Sequence, residues 1–593
     1  MYQLIVKIGL IFTILWNICC GAARPVRQQT ATENGSLSAV DELGRKVVTA
    51  GQSDKQVGVF YFLWNGEEST SGPYDVGKII ERDPQAYLSA ERWEAAGGGA
   101  YAVFHHWGEP LFGYYFQSDK WVLARHCQML TDAGVDFIVF DTTNARPYIE
   151  RAKDLIDVWY TYLEDGWNVP KLAFYTNSDS ADTMAAIYDG LYNNAEMKAK
   201  YPRLDELWFR LNGKPMIVGW QEDPNLRDDV RRFFRIKSTQ WPNADKGSDG
   251  FPWMEFNRLE KIDSYYKNSP KDKSVMSVSA AQHCDTIRFS SSAWYDGRDH
   301  GRSWHNGAKD TSPDAVKYGY NFAEQWEYAI KLDPDIVFVT GFNEWTAMRL
   351  GIQEEPICFV DNCDTEYSRD VEPSAGILGD NYYMQMARYI AKFKRSSAAL
   401  PESVNVTIDV NGSFDQWDNP SIKAVYRDFR GDTFDRDCCG FGDLHFTDDT
   451  GRNDIVRAKI AEDSRYLYYY VETADTLSPA SDSAWMTLFL NVNGKKPGYD
   501  FCVNRTSPAN GKTTIEAITD AGYESRGQAD IRFEGNRLML RVPKAALGLA
   551  GNKKAAFTFK WADNYEEGNL MSFYTRGDSA PYGRLNWVYG TRP

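Results

Sequence analysis

Hydrophobic runs of strand length alternate with amphipathic stretches of helix length over the first two-thirds of the chain. Apolar segments at 57–64, 135–141, 171–175, 215–220, 274–282 and 335–342 have the composition of buried strands, and 250–253 is a shorter seventh. Between them, helical periodicity marks 119–133, 146–163, 180–200 and 321–332. This alternation predicts parallel βα units, and a span of 55–397 fits an α/β (β/α)8 TIM-type barrel, although no eighth strand is legible. Helical character ends at Pro401, within SAALPESV at 397–404. Beyond it the pattern changes to short strands at 405–410, 454–460, 466–473, 485–491, 514–518, 529–533, 537–543 and 556–561. Turns such as Asn493-Gly494 and Glu534-Gly535 separate them. Residues 404–593 are therefore expected to form an all-β sandwich.

A chain of 593 residues exceeds what one hydrophobic core usually supports, in keeping with two domains. Residues 1–23 read as an export signal, with Lys7 before an apolar stretch at 8–18 and the small residues Gly21-Ala22-Ala23 after it. That stretch is too short for a transmembrane span, while Cys19 and Cys20 leave open a lipid anchor. The expected location is secreted, periplasmic or cell surface. Residues 24–54 are polar and read as a flexible lead-in. In an oxidising compartment Cys358 and Cys363, within CFVDNC, are close enough for a local disulfide. The formal charge of −16 argues against nucleic acid, because phosphate binding needs a basic face.

The strand ends carry the chemistry, since active sites of parallel α/β sheets lie at the carboxyl ends of strands. The first run ends in Trp64, Asn65 and Glu67, the second in Asp141, Thr143 and Asn144. The last, DIVFVTGFNEW, ends in Asn343, Glu344 and Trp345. On a closed barrel these tips share one rim, making Glu344 and Asp141 a candidate catalytic carboxylate pair. Glycoside hydrolysis needs such a pair, one group donating a proton and one assisting attack. The competing role for Asp141 is a helix N-cap, and Glu222, Asp223 and Glu255 are rivals as the partner of Glu344. His105, His106 and Trp107 in the loop YAVFHHWGEPLFGYY, Trp253 and Glu255 in GFPWMEFN, and His283 after the 274–282 run are candidate sugar contacts with Trp64, Asn343 and Trp345. Aromatics make up 14% of the chain, and such rings suit the flat faces of sugars. Cys and His show no paired ligand spacing, so no catalytic metal is expected, and no P-loop, dinucleotide fingerprint, HExxH or Gly-x-Ser-x-Gly motif occurs.

GVDFIVFD, KPMIVGW and GFNEW resemble glycoside hydrolase-like barrels of families 99 and, more distantly, 71. Family 99 enzymes act on α-mannosides through two glutamates in a motif close to Asn-Glu-Trp-His-Glu. The first corresponds to Glu344, but the second falls on Ala347, so the resemblance implies that the partner carboxylate comes from elsewhere, Asp141 or Glu255. The alternative is a non-catalytic glycan-binding surface protein with a degenerate barrel. IDVNGSFDQW, DSRYLYYYVET, SAWMTLFLNVNG and FYTRGDSAPYGRLNWVY resemble family 9 carbohydrate-binding modules. That resemblance implies aromatic stacking on sugar and allows a structural calcium ion in the C-terminal domain. Trp485, Trp561 and Trp587 are open to either a stacking or a core role. The reading as a whole is an exported glycoside hydrolase of poly- or oligosaccharides.

Overall fold

The computed structural model describes residues 35–590 apart from 243, 245–248, 255–272, 283–298, 351–355, 361–363, 397–399, 402–404, 495 and 550–554. Eight parallel strands form a barrel. They are β1 (Gln56–Tyr61), β2 (Phe137–Thr142), β3 (Lys171–Thr176), β4 (Lys214–Gly219), β5 (Arg235–Gln240), β6 (Gly250–Pro252), β7 (Val275–Val278) and β8 (Ile336–Val339). Consecutive strands pair from β1 to β6, β7 pairs with β8, and β8 closes onto β1 with Ile336 opposite Gln56. β6 and β7 lie side by side without a ladder, which leaves one open seam. Helices α1 (Lys120–Ala133), α2 (Ile149–Glu164), α3 (Ser180–Ile187), α4 (Asp228–Phe233), α5 (Tyr320–Leu332) and α6 (Asn381–Lys394) follow β1, β2, β3, β4, β7 and β8.

The strand hidden from the hydrophobic pattern is β5, RIKSTQ. Its charges are neutralised locally: Arg235 bonds Asp249 at 2.7 Å, and the wholly buried Lys237 ion-pairs with the same carboxylate. The expected helix at 180–200 breaks into α3, a π-helical turn at Tyr188–Tyr192 and a short helix Ala195–Lys200 that Asn194 caps. Inside the barrel, Phe60, Phe62, Phe137, Val139, Tyr175, Met216, Val218, Phe251, Ile336 and Phe338 form a core separate from the one under the helices. Period-two alternation makes this division, because successive side chains point to opposite faces. Phe209 closes the bottom by stacking on Phe137 at 3.8 Å. Gly58 makes room for that ring, since a Cβ there would lie 2.3 Å from it.

Two expectations need correction. Residues 38–48, assigned to a flexible lead-in, form an antiparallel hairpin, Ser38–Val40 against Lys46–Val48, that packs on α6 and bonds Asn586. Segment 405–410 is not a strand: Ile408 and Val410 instead bury beside Trp417 in an irregular stretch. Residues 1–34, including Cys19 and Cys20, and Cys363 lie outside the described residues. No helix among the described residues is long and apolar enough to cross a membrane.

Among the described residues the C-terminal domain is an antiparallel sheet of eleven strands folded over on itself, with a separate hairpin, Arg436–Cys439 against His445–Asp448. The bend lies in the 13-residue strand Gly522–Glu534, which pairs with Lys512–Thr519 along its first part and with Arg537–Pro543 along its second. Ile460, Tyr469 and Leu540 on one half then face Leu488, Leu490 and Phe559 on the other, giving the expected β-sandwich. Trp485, Trp561 and Trp587 are core residues of this domain, all buried. It docks on the barrel through Arg436, which ion-pairs with Asp119 at 2.7 Å, through Arg584 and Asp380 at 2.9 Å, and through stacked Trp167 and Phe429.

Candidate active site at the barrel mouth

Alternation carries five side chains up from the interior face at the carboxyl ends of the strands. Trp64 follows Phe62, Asp141 follows Val139, Trp220 follows Val218, Trp241 follows Thr239 and Trp253 follows Phe251. Trp64 and Trp253 pack on the barrel core, Trp241 lies 5.0 Å from Trp253, and Trp220 is 45% exposed. The mouth is thus ringed by indoles.

Two carboxylates flank β1 within that ring. Asp141 is the next-to-last residue of β2 and accepts a hydrogen bond from the Thr143 backbone at 2.8 Å. Glu344 comes from the loop after β8 and ion-pairs with Arg369 at 3.1 Å. Their parent strands are separated only by β1, so the strand axes lie roughly 10 Å apart. The guanidinium of Arg369 also stands 5.2 Å over the Trp253 ring, tying the carboxylate to the aromatic wall.

The 368–374 segment positions Glu344. Asp370 accepts from the Glu344 backbone N–H at 2.6 Å and from the Trp107 indole at 3.0 Å. Burial pushes its carboxyl up to about 6. Gly341 lets Asp370 approach, because a Cβ there would lie 2.8 Å from its Oδ1. Glu372 accepts from the Trp345 indole at 2.6 Å and from Tyr115 at 2.8 Å, and contacts His126 at 3.0 Å. Trp107 and Trp345 stack at 4.4 Å between these two acids. Arg302 lies beneath the segment, donating to Ser368 and to the Asp370 carbonyl.

Several sequence candidates lie in this support rather than on the rim. Asn343 is wholly buried, accepting from Phe62 N at 2.9 Å and donating to Phe62 O at 3.0 Å. His105 accepts from the Trp93 indole and from Gly99 N, and burial lowers its pKa to about 3. Burial lowers His106 to about 3 as well, with its ring edge-on to Tyr114 and Phe441. Ala347 belongs to strand Thr346–Leu350, paired opposite His105. Glu255 and His283 lie outside the described residues, and Glu222 is exposed beyond β4. The structure therefore groups Trp64, Asp141, Trp253 and Glu344 at the mouth, and Asn343, His105, His106, Trp107 and Trp345 behind it. Sequence reasoning missed Trp241, Arg369, Asp370 and Glu372. The first follows the unrecognised β5; the others sit in SRDVEP, whose only signal is a density of charge in a loop.

The sequence matches no family model and no curated protein. Among solved structures, it is similar to a GH99 endo-α-mannosidase from Bacteroides thetaiotaomicron at 12% identity and a TM-score of 0.35, over 58% of this chain and 98% of that one. Another structure of the GH99 endo-α-mannosidase from that organism gives 15% identity and 0.34, over 58% and 99%. A family 5 glycoside hydrolase from Bacteroides vulgatus aligns over 89% of this chain and 97% of its own, at 10% identity and a TM-score of 0.22. Likenesses this loose say nothing about chemistry.

Proposed function

We propose that the protein is an exported glycoside hydrolase of poly- or oligosaccharides, with Glu344 and Asp141 as its catalytic carboxylates. The observation that carries this reading is the mouth itself: two acids from strands flanking β1, enclosed by Trp64, Trp220, Trp241 and Trp253. Indole faces bind the apolar faces of sugar rings, while polar groups fix the hydroxyls. Paired with Arg369, Glu344 is presented as a carboxylate and assists attack at the anomeric carbon. Asp141 donates its proton to the departing glycosidic oxygen as the carbon–oxygen bond breaks, water supplies the hydroxyl to the anomeric carbon, and the remaining proton of that water restores the acid form of Asp141. Asp370 acts through Glu344 by fixing its backbone.

The test is reducing-end release from a panel of plant, fungal and host glycans, α-mannans included, by wild type and Glu344→Gln. The substitution keeps shape and removes the titrating group, so a rate loss of about 10²–10⁴ with folding intact is expected. Unchanged cleavage by the variant would remove Glu344 from the mechanism. A second reading, sugar binding without cleavage, is favoured by Ala347, which offers no carboxylate where the family 99 motif has its second glutamate. It predicts that both proteins bind glycans and neither cleaves them.

A further inference from the structure

Four aspartates meet where the β-sandwich rests on the barrel, and none of them belongs to the mouth. Asp432 lies in the loop after strand Ala424–Arg427, Asp454 just before strand Ile455–Glu462, and Asp578 opens strand Asp578–Ala580. One carboxylate oxygen from each of these three lies within 4.8 Å of the others. Asp428 is a close neighbour of Asp432 and Asp578. Asp428, Asp432 and Asp578 are 3–4% exposed, so water does not screen their mutual repulsion.

Hydrogen bonding hold the cluster in a particular way. Asp432 Oδ2 accepts from the Gln128 amide at 3.0 Å, Asp454 Oδ2 from Gly431 N at 2.7 Å and Asp578 Oδ2 from Ile455 N at 2.6 Å. Each anchored carboxylate is thereby fixed through one oxygen. By contrast Asp428 Oδ2, Asp432 Oδ1 and Asp454 Oδ1 are buried acceptors without a hydrogen-bond partner, as is Gln128 Oε1. Buried acceptors are nearly always satisfied in a native fold, so several orphans beside one another point to a ligand that accepts their lone pairs. Among the described residues no cation pairs with the cluster: Arg125 faces Asp432, Arg430 faces Asp454, Arg576 lines the same small cavity as Asp432 and Asp578 but donates to the Asn564 carbonyl, and Lys560, which faces Asp428 and Asp578, donates to the Pro581 carbonyl.

We infer that Asp432, Asp454 and Asp578, with Asp428 beside them, bind one hard divalent cation that fastens the β-sandwich to the barrel. All the donors are oxygens, which suit calcium or magnesium, and an irregular carboxylate-rich cage suits calcium, with its six to eight flexible ligands, better than octahedral magnesium. Gln128 stands on α1 of the barrel and holds Asp432 from that side, so the ion joins the two domains as well as the loops.

The full chain, freed of metal with EDTA and dialysed, is titrated with calcium chloride and with magnesium chloride. Bound metal is read by elemental analysis and stability by calorimetry. One calcium per chain is expected to raise Tm by several degrees, because a ligand that binds only the folded state stabilises it. The double variant Asp432→Asn, Asp578→Asn lacks the charge that demands the ion, and its Tm should respond neither to EDTA nor to calcium. Magnesium binding with the same stabilisation would keep the site and change the ion. The inference is overturned if neither metal binds the wild type at millimolar concentration, or if the double variant keeps the full response.

Discussion

Replacing Asn343 with leucine tests whether this residue of the GFNEW motif supports the site or meets the sugar. Leucine nearly preserves volume, so little cavity forms and the cost comes from hydrogen bonds. Asn343 satisfies both the N–H and the carbonyl of Phe62, a residue of the barrel core with 1% exposure, at 2.9 and 3.0 Å. Leaving two buried backbone groups unpaired costs about 1–3 kcal/mol each, or roughly 2–6 kcal/mol together. On the scale of about 2 °C per kcal/mol for a large domain, Tm should fall by roughly 4–12 °C. Thermal melting followed by near-ultraviolet circular dichroism measures the fall. Sugar affinity per folded molecule should change little, because the amide has no exposed surface. A Tm within about 1 °C of wild type, together with lost sugar binding, would refute the reasoning and put Asn343 in the mouth.

Gly341→Ala places a methyl 2.8 Å from Asp370 Oδ1, so Glu344 should shift and kcat fall while sugar affinity, set by the indoles, is largely retained; equal losses in both would contradict this. Arg436→Ala leaves the buried Asp119 carboxylate, which also caps α1, without its ion-pair partner, at a cost of about 3–5 kcal/mol, and calorimetry should show the two domains melting apart. His105 and His106 are neutral in the fold at pKa values near 3 but take up protons below about 6.5 when unfolded. Their contribution is therefore intact above pH 6.5 and is lost as pH falls toward 3, by about 1.4 kcal/mol per pH unit per histidine. Urea midpoints from pH 7 to 4 should fall less steeply in His106→Leu than in wild type, and parallel slopes would show that this ring is not buried as a neutral group.

The sequence alone determined the order and type of most of the barrel elements. Buried parallel strands must be apolar on both faces, so seven of the eight barrel strands are visible as hydrophobic runs, and Asp141 and Glu344 are visible as acids at strand ends. β5 escaped because Arg235 and Lys237 become admissible only once Asp249, distant from them by a turn of chain, supplies the opposite charge. Tertiary structure alone decided which polar residues face the mouth. Asn343, His105, His106, Trp107 and Trp345 resemble sugar contacts by type, and the same donors and rings serve equally well to fill a wall. Their placement depends on loops crossing from other strands, with Asp370 and Glu372 arriving about thirty residues after Phe342 to accept hydrogen bonds from the two indoles. The aspartates at 428, 432, 454 and 578 make the same point, since residues spread over 150 positions become one cluster only when the sheet folds back on itself. Pattern is local and records burial. Partnership is long-range, and only the closed fold records it.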